Sequence, residues 1–355
     1  MANRLAGAAT HGALRALRSV FDRADSLAGR PFTETDLMVP HTRSRRFGWT
    51  HYGVMIPDLP APHRYFSIMS LIGATGSLAF DNDHALAAEP RKNASVVTGT
   101  AATHPRHFGN YEIGRDGRFS DDGGEIRFGR EVEITGSYPN YKVEVAVEDF
   151  TLSIDIENTD KVSWFFHSPV YKHMSLLSHY RGQVAIGEDR QQIEGLCAFE
   201  YGACPSPYLL RSKPLPTRFK APLNHFVYHI INLDPTHQVL LSQYSIAGRP
   251  LMTFALLRST DAYTSVHHDT TYEVLEYRPA EAPTPDGRSM RLPQRTRFIV
   301  GDRDRPWLEL ETTMDTPFTY GLGTGFVGGF AYTGQWRNEA ITGRGYVEYI
   351  DRRDG

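Results

Sequence analysis

The stretch YKVEVAVEDFTLSIDIEN, Tyr141 to Asn158, decides the fold. Its apolar side chains fall on Val143, Val145 and Val147 and then on Phe150, Leu152, Ile154 and Ile156, with charged or hydroxyl residues, and the small Ala146, between them. A period of two belongs to a strand with one face buried and the other in water, whereas a helix would bring apolar residues back every three or four positions. The register switches near Glu148 and Asp149, which predicts a bulge or tight turn there.

Similar short strands can be read in GEIRFGREVEITG, GQVAIGEDRQQIEGLCAFEYG, TYEVLEYRP, RTRFIVG and GRGYVEYID, separated by Gly, Pro, Asp and Asn signals. Beyond residue 40 the chain therefore reads as all-β with many hairpins. At 355 residues, 40% of them hydrophobic, it is long enough for one large or two medium domains with a sizeable core. Its 38 basic residues are balanced by 41 acidic ones with no long run of either sign, so no nucleic-acid footprint is expected.

No run approaches a transmembrane span, and a cytoplasmic location follows as the default expectation. Near the N-terminus Leu14, Leu17, Val20 and Phe21 recur at helical spacing opposite Arg15, Arg18 and Arg23. That pattern predicts a helix docked on the protein surface, with peripheral membrane contact as the alternative. The two cysteines, Cys197 and Cys204, fit no zinc-ribbon spacing and read as ordinary thiols.

The segment NHFVYHIINL, Asn224 to Leu233, places His225 and His229 four residues apart. On a helix the two could grip one metal ion. The alternation and the turn-like DPTH before QVLLSQYSI make it a hairpin strand instead. Residues four apart on a strand share a face but lie about 13 Å from each other, so the pair is not a chelate. If that face is interior, the two histidines are hydrogen-bonding groups at two depths of a cavity.

Other motifs carry less. GTGFVG, Gly323 to Gly328, matches a dinucleotide fingerprint but leads into a strand-like segment, so its glycines read as turn or packing positions. DNDHALAAEPRK lacks the Gly and Glu of a calcium loop, having Leu86 and Lys92 there. His267-His268-Asp269 reads as a solvated loop. No metal ion and no cofactor is expected. The segment from Trp164 to Tyr201 brings Trp164, His167, Tyr171, His173, His179, Glu200 and Tyr201 into one strand-rich region. This mixture suits an apolar pocket with a few orienting polar groups, and it equally suits a core with satisfied polar residues.

At the C-terminus, FAYTGQWRNEAITGRGYVEYIDR resembles the closing strands of the carotenoid hydratase family, in which an aromatic-Gly pair precedes a final G-R-G-Y-hydrophobe-E strand. Gly343 to Glu348 carry that match. Upstream, Glu200-Tyr201-Gly202 fall on the last three places of the family's D-H-E/N-W-G motif. The resemblance implies two tandem lipocalin-like β-barrels, an architecture shared with fungal Diels-Alder cyclases, and large apolar ligands such as isoprenoids, polyketides or lipids. Ala198 and Phe199 stand where the hydratases carry an acidic residue and His, so their alkene-protonating group is missing here.

The expected architecture is an N-terminal helical extension over residues 1–34, a first lipocalin-like barrel over 35–205 and a second over 206–355. The expected activity is that of a cofactor-independent hydratase, dehydratase, isomerase or cyclase acting on an apolar isoprenoid, steroid or polyketide-like molecule. A non-catalytic carrier or sensor of such ligands is the rival. Glu200, His173 or His225 would be the general acid or base. Trp164, His167, Tyr201, His229, Tyr244 and Trp336 would contact the ligand.

Overall fold

The computed structural model describes residues 22–105, 107–246 and 248–353, and the proposed N-terminal helix around Leu14 to Phe21 lies outside them. The only α-helix among the described residues is the single turn α1 (Ala24–Leu27). No helix among them is long and apolar enough to cross a membrane. The protein is built from two curled antiparallel sheets, one a nearly closed barrel and the other a half-barrel, the tandem lipocalin-like arrangement.

The first sheet is made by β1 (Trp49–Ile56), β2 (Phe66–Gly73), β3 (Asn93–Thr100), β4 (His107–Glu112), β5 (Gly117–Phe119), β6 (Glu125–Phe128), β7 (Val132–Ser137), β8 (Asn140–Val147), β9 (Phe150–His167), β10 (Lys172–Ile186) and β11 (Asp189–Cys204). Its order is β4-β3-β2-β1-β11-β10-β9-β8-β7-β6-β5, so β1 and β11, nearly 150 residues apart in sequence, are neighbours. The remaining strands are β12 (Leu223–Asn232), β13 (His237–Ile246), β14 (Arg249–Ser259), β15 (Ser265–His267), β16 (Thr270–Tyr277), β17 (Ala282–Pro283), β18 (Ser289–Met290), β19 (Pro293–Asp302), β20 (Arg305–Met314), β21 (Thr319–Leu322), β22 (Gly325–Trp336) and β23 (Glu339–Asp351). Apart from the β17-β18 ribbon they form the second sheet, in the order β15-β14-β13-β12-β23-β22-β20-β19-β16 with β21 beside β22.

β8 and β9 form the hairpin that the alternation predicts, with Glu148 at φ 53 in its turn. Val143, Val145, Phe150, Leu152, Ile154 and Ile156 all enter the first core. Along β9 the alternation then ends: Val162, Ser163, Trp164 and Phe165 are buried in succession. The same unbroken burial runs through β1, β2 and β3. A strand buried on both faces is covered from both sides, and here the second cover is the other sheet.

That sheet-to-sheet contact is polar as well as apolar. Arg258, fully buried on β14, donates to the carbonyl and hydroxyl of Ser175 and to Gln238. Asn232 donates to the Leu196 carbonyl, and Ser163 bonds Thr264. The acidic loop after β2 works in the same way: Asp81 accepts from the backbone of Thr75 and Gly76 and from Tyr208, beside the Lys220 ammonium. Gly323, at φ 52, forms the tight turn between β21 and β22, which explains the glycines of GTGFVG without a nucleotide. Cys197 and Cys204 are free thiols.

Candidate active site

Where the two sheets face each other they leave a cavity of about 590 Å³. Trp49, Phe165, Phe166, Phe226, Tyr244 and Leu251 supply apolar wall, while His51, His173, Glu200, Tyr228 and Glu348 bring polar groups to the same space. A larger hollow of about 830 Å³ lies over Thr135, Lys142, Arg181 and Glu194. It lacks the apolar wall and buried converging groups that mark a small-molecule site, so the inter-sheet cavity is the candidate.

Glu200 stands at the centre of the polar cluster. On β11 it lies opposite Gly53 of β1 and Ser175 of β10, while Gly202, two residues on, lies opposite His51 on one side and His173 on the other. The two imidazoles thus flank the strand diagonally to the carboxyl. Space for them comes from glycine: a Cβ on Gly53 would lie 3.0 Å from the His51 ring, and one on Gly202 would lie 3.2 Å from His173.

The Tyr228 hydroxyl donates to Glu200 Oε1 at 2.5 Å across the sheet interface. Glu200 Oε2 faces His51 Nε2 at 3.7 Å and His173 Nε2 at 3.9 Å. Both separations exceed a hydrogen bond, and both Nε2 atoms are buried without a partner. His51 Nδ1 donates to the Ser70 carbonyl at 2.8 Å, so in the neutral ring its Nε2 is a free lone pair. His173 Nδ1 pairs with the Tyr171 hydroxyl at 3.0 Å.

Burial, the largest cause, holds the His173 pKa well below its ordinary value, so this ring is neutral at pH 7. Glu348, opposite Tyr228 on β23, is pushed the other way. Burial first and the Glu200 charge second raise its pKa well above the usual carboxyl range, and its Oε1 accepts from Tyr346 at 3.0 Å. Burial also lowers Arg258 to about 10, which leaves it a cation at neutral pH. Two carboxyl groups, Glu200 and Glu348, thus line this cavity, and the surroundings of Glu348 favour its protonated form.

The family of unknown function DUF6670 matches residues 69–355. The chain belongs to that family. No curated protein matches the DUF6670 chain in sequence. Its fold is similar to that of a protein assigned as AttH from Nitrosomonas europaea, at 13% identity and a TM-score of 0.61 over 92% of this chain and 98% of that one. Kievitone hydratase from Nectria haematococca is similar at 10% identity and a TM-score of 0.59, over 93% and 96% of the two chains. The protein CghA gives 8% identity and a TM-score of 0.50 over 88% and 90%. At such identities the likeness is one of fold, and that fold is the two-sheet architecture implied by the C-terminal resemblance.

Of the residues singled out in the sequence of this DUF6670 protein, Glu200, Tyr171, His173 and Tyr244 lie together on the cavity wall. The others do not. His225 and His229 occupy the opposite face of β12 from Phe226 and Tyr228, because side chains alternate along a strand. His229 packs between Phe298 and Phe330, each 4.9 Å away, and His225 sits by Tyr349 and the Ser245 hydroxyl. Trp164 belongs to the first core, against Phe32 and His167, and His167 Nε2 pairs with Glu34 at 2.5 Å. Tyr201 points away from Glu200 and donates to the Val39 carbonyl. Trp336, at the far end of β22, lies over His237 at 5.0 Å.

His51, Trp49, Phe165, Tyr228 and Glu348 were not singled out as site residues. Two signals pointed to Tyr228 and Glu348. Tyr228 lies on the other face of the strand that carries His225, and Glu348 closes the Gly343 to Glu348 block on which the resemblance rests.

Proposed function

We propose that the protein is a proton-transfer enzyme, a hydratase, dehydratase, isomerase or cyclase using its own side chains, with an apolar small molecule held in the inter-sheet cavity. The observation that supports this most is the buried Glu200, anchored by Tyr228 at the polar end of an aromatic-walled cavity. A carrier needs the apolar wall. It has no use for two buried carboxyl groups, each of which costs stability to desolvate.

In this reading Glu200 Oε2 takes a proton from the bound molecule while Glu348, kept neutral by burial, returns one. The apolar wall suits an isoprenoid, steroid or polyketide-like skeleton. Kievitone hydratase shares the fold and is by name a hydratase, which supports testing hydration as one of these chemistries.

The ligand is to be sought by mass spectrometry of an organic extract of the purified protein. On that compound Glu200→Gln should retain its thermal melt and bind within a few-fold of the parent, with turnover lower by ~10²–10⁴. A destabilised but fully active Glu200→Gln would overturn the mechanism, and saturable binding without turnover in the parent would make the protein a carrier.

A further inference from the structure

The spacing argument that excludes His225 and His229 as a chelate does not reach His51, His173 and Glu200, which come from three neighbouring strands. One ligand atom from each converges, all three lying within 4.8 Å of one another. A tetrahedral ion bound at roughly 2.0–2.2 Å from each would hold its ligand atoms about 3.3–3.6 Å apart. The two distances to Glu200 Oε2, 3.7 and 3.9 Å, stand only a few tenths of an ångström beyond that range. The remaining imidazole-to-imidazole gap, at most 4.8 Å, needs to close by no more than about 1.5 Å, within reach of rotating the two side chains about their χ torsions.

Each of these groups is also held from behind as a metal ligand is. His51 donates its Nδ1 proton to the Ser70 carbonyl, Glu200 Oε1 is fixed by Tyr228, and the Tyr171 oxygen can accept from His173 Nδ1. In that direction the last bond leaves His173 Nε2 as a lone pair. Such partners set the orientation and basicity of metal-bound imidazoles. The lone pair of His51 is the second observation pointing to a ligand, because its side chain is only 1% exposed and its Nε2 has no partner.

We propose that His51, His173 and Glu200 bind one divalent transition-metal ion of the zinc class, with its remaining coordination positions facing the cavity. Two imidazoles and one carboxylate are a donor set that zinc accepts and that magnesium or calcium, which prefer oxygen, do not. The proposal goes beyond the acid-base reading: the ion takes the Glu200 oxygen that the reaction needs, and so acts as an inhibitor of it.

The test uses the full chain, stripped with a chelator, dialysed, and titrated with zinc sulfate against a chromophoric chelator without any substrate. The expected result is one zinc per chain, falling below about a tenth of that in His51→Gln and His173→Ala, with His225→Ala and His229→Ala unchanged. Gln at position 51 keeps an N–H for the Ser70 carbonyl, and a thermal melt identifies any variant that fails to fold. Because Trp49 stacks 6.1 Å from His51, its emission should change in step with zinc. No stoichiometric binding by the folded parent would overturn the site and leave the triangle to a water molecule. Binding that survives both His51→Gln and His173→Ala would overturn it equally. Neither outcome bears on the acid-base reading, which is tested by turnover of the metal-free protein. Once a substrate is known, zinc should suppress that turnover and a chelator restore it; a rise with zinc would overturn the inhibitory role.

Discussion

Two pairs of histidines occupy the interior of this protein, and their surroundings could hardly differ more. His51 and His173 stand on different strands, one on each side of β11, and meet the Glu200 carboxyl between them. His225 and His229 stand on one strand and meet aromatic rings. Strands lie about 4.8 Å apart across a sheet, whereas residues four apart along a strand are separated by about 13 Å. In a β protein, polar groups that must act together are therefore gathered across the ladder. The His225 and His229 pair is conspicuous in the sequence and chemically separate in the fold, while the pair that converges is spread over more than a hundred residues.

The largest test of this contrast is the response to acid. Burial lowers the His229 pKa to about 3 and that of His225 to about 4, from an ordinary 6.5. Between those values and pH 6.5 the unfolded chain binds more protons than the folded one. Stability is thus fully present above pH 6.5 and is lost as pH falls through the folded values. For His229 the shift corresponds to a contribution on the order of 5 kcal/mol. His229→Phe should move the acid-unfolding midpoint to lower pH and should match or exceed the parent in thermal stability at pH 7, since neither imidazole nitrogen has a partner. Acid titrations followed by circular dichroism measure both. A loss of more than about 2 kcal/mol at pH 7 would mean that the ring is hydrogen-bonded after all, and the contrast would fail.

Much of the fold could be read from the chain because one face of most strands is in water. Val143, Val145, Leu152 and Ile154 alternate with exposed neighbours, and the turn at Glu148 follows from the change of register. The site was harder to read for the opposite reason. Trp49 to Ile56 is buried throughout, with no polar face to show that His51 and Glu200 share a side or that Tyr52 and Tyr201 share the other. Pairing β1 with β11 closes a sheet across nearly 150 residues, and no local signal reports it. Trp164 and Phe165 are both buried although only Phe165 lines the cavity, so aromatic content by itself chose the wrong neighbour. The point at which alternation gives way to continuous burial along β9 was the readable trace of the interface.

A middle-sized effect separates hydroxyls in the same manner as the histidines. Tyr228 and Tyr52 are both buried tyrosines, but the first donates to Glu200 and the second has no partner for its hydroxyl. Tyr228→Phe leaves a buried carboxyl oxygen without its donor and should cost about 1–3 kcal/mol in urea unfolding. Tyr52→Phe removes only an unsatisfied hydroxyl and should be neutral or slightly stabilising. Equal losses in the two variants would show that the Tyr228 bond does not hold the cluster together, and Glu200 would then need another anchor.

The smallest expected effect locates the ligand. Of the four tryptophans, Trp49 lines the cavity, stacked beside His51 and 6.4 Å from Tyr171. Trp164 is enclosed by the first core, Trp307 lies against His267 and Trp336 against His237. An apolar dye or long isoprenoid entering between the sheets should quench Trp49 through contact with its ring and leave the distant indoles nearly unaffected. Trp336→Phe should therefore lower total emission while preserving the absolute ligand-dependent change, and Trp49→Phe should remove most of that change. Because Trp49→Phe keeps an aromatic ring in the wall, binding can be checked independently by calorimetry, where its affinity should stay within about tenfold of the parent. Quenching that persists in Trp49→Phe and vanishes in Trp336→Phe would move the ligand to the open end of the second sheet. The polar cluster around Glu200 would then be a structural feature of the sheet interface, and the difference between the two histidine pairs would be one of packing alone.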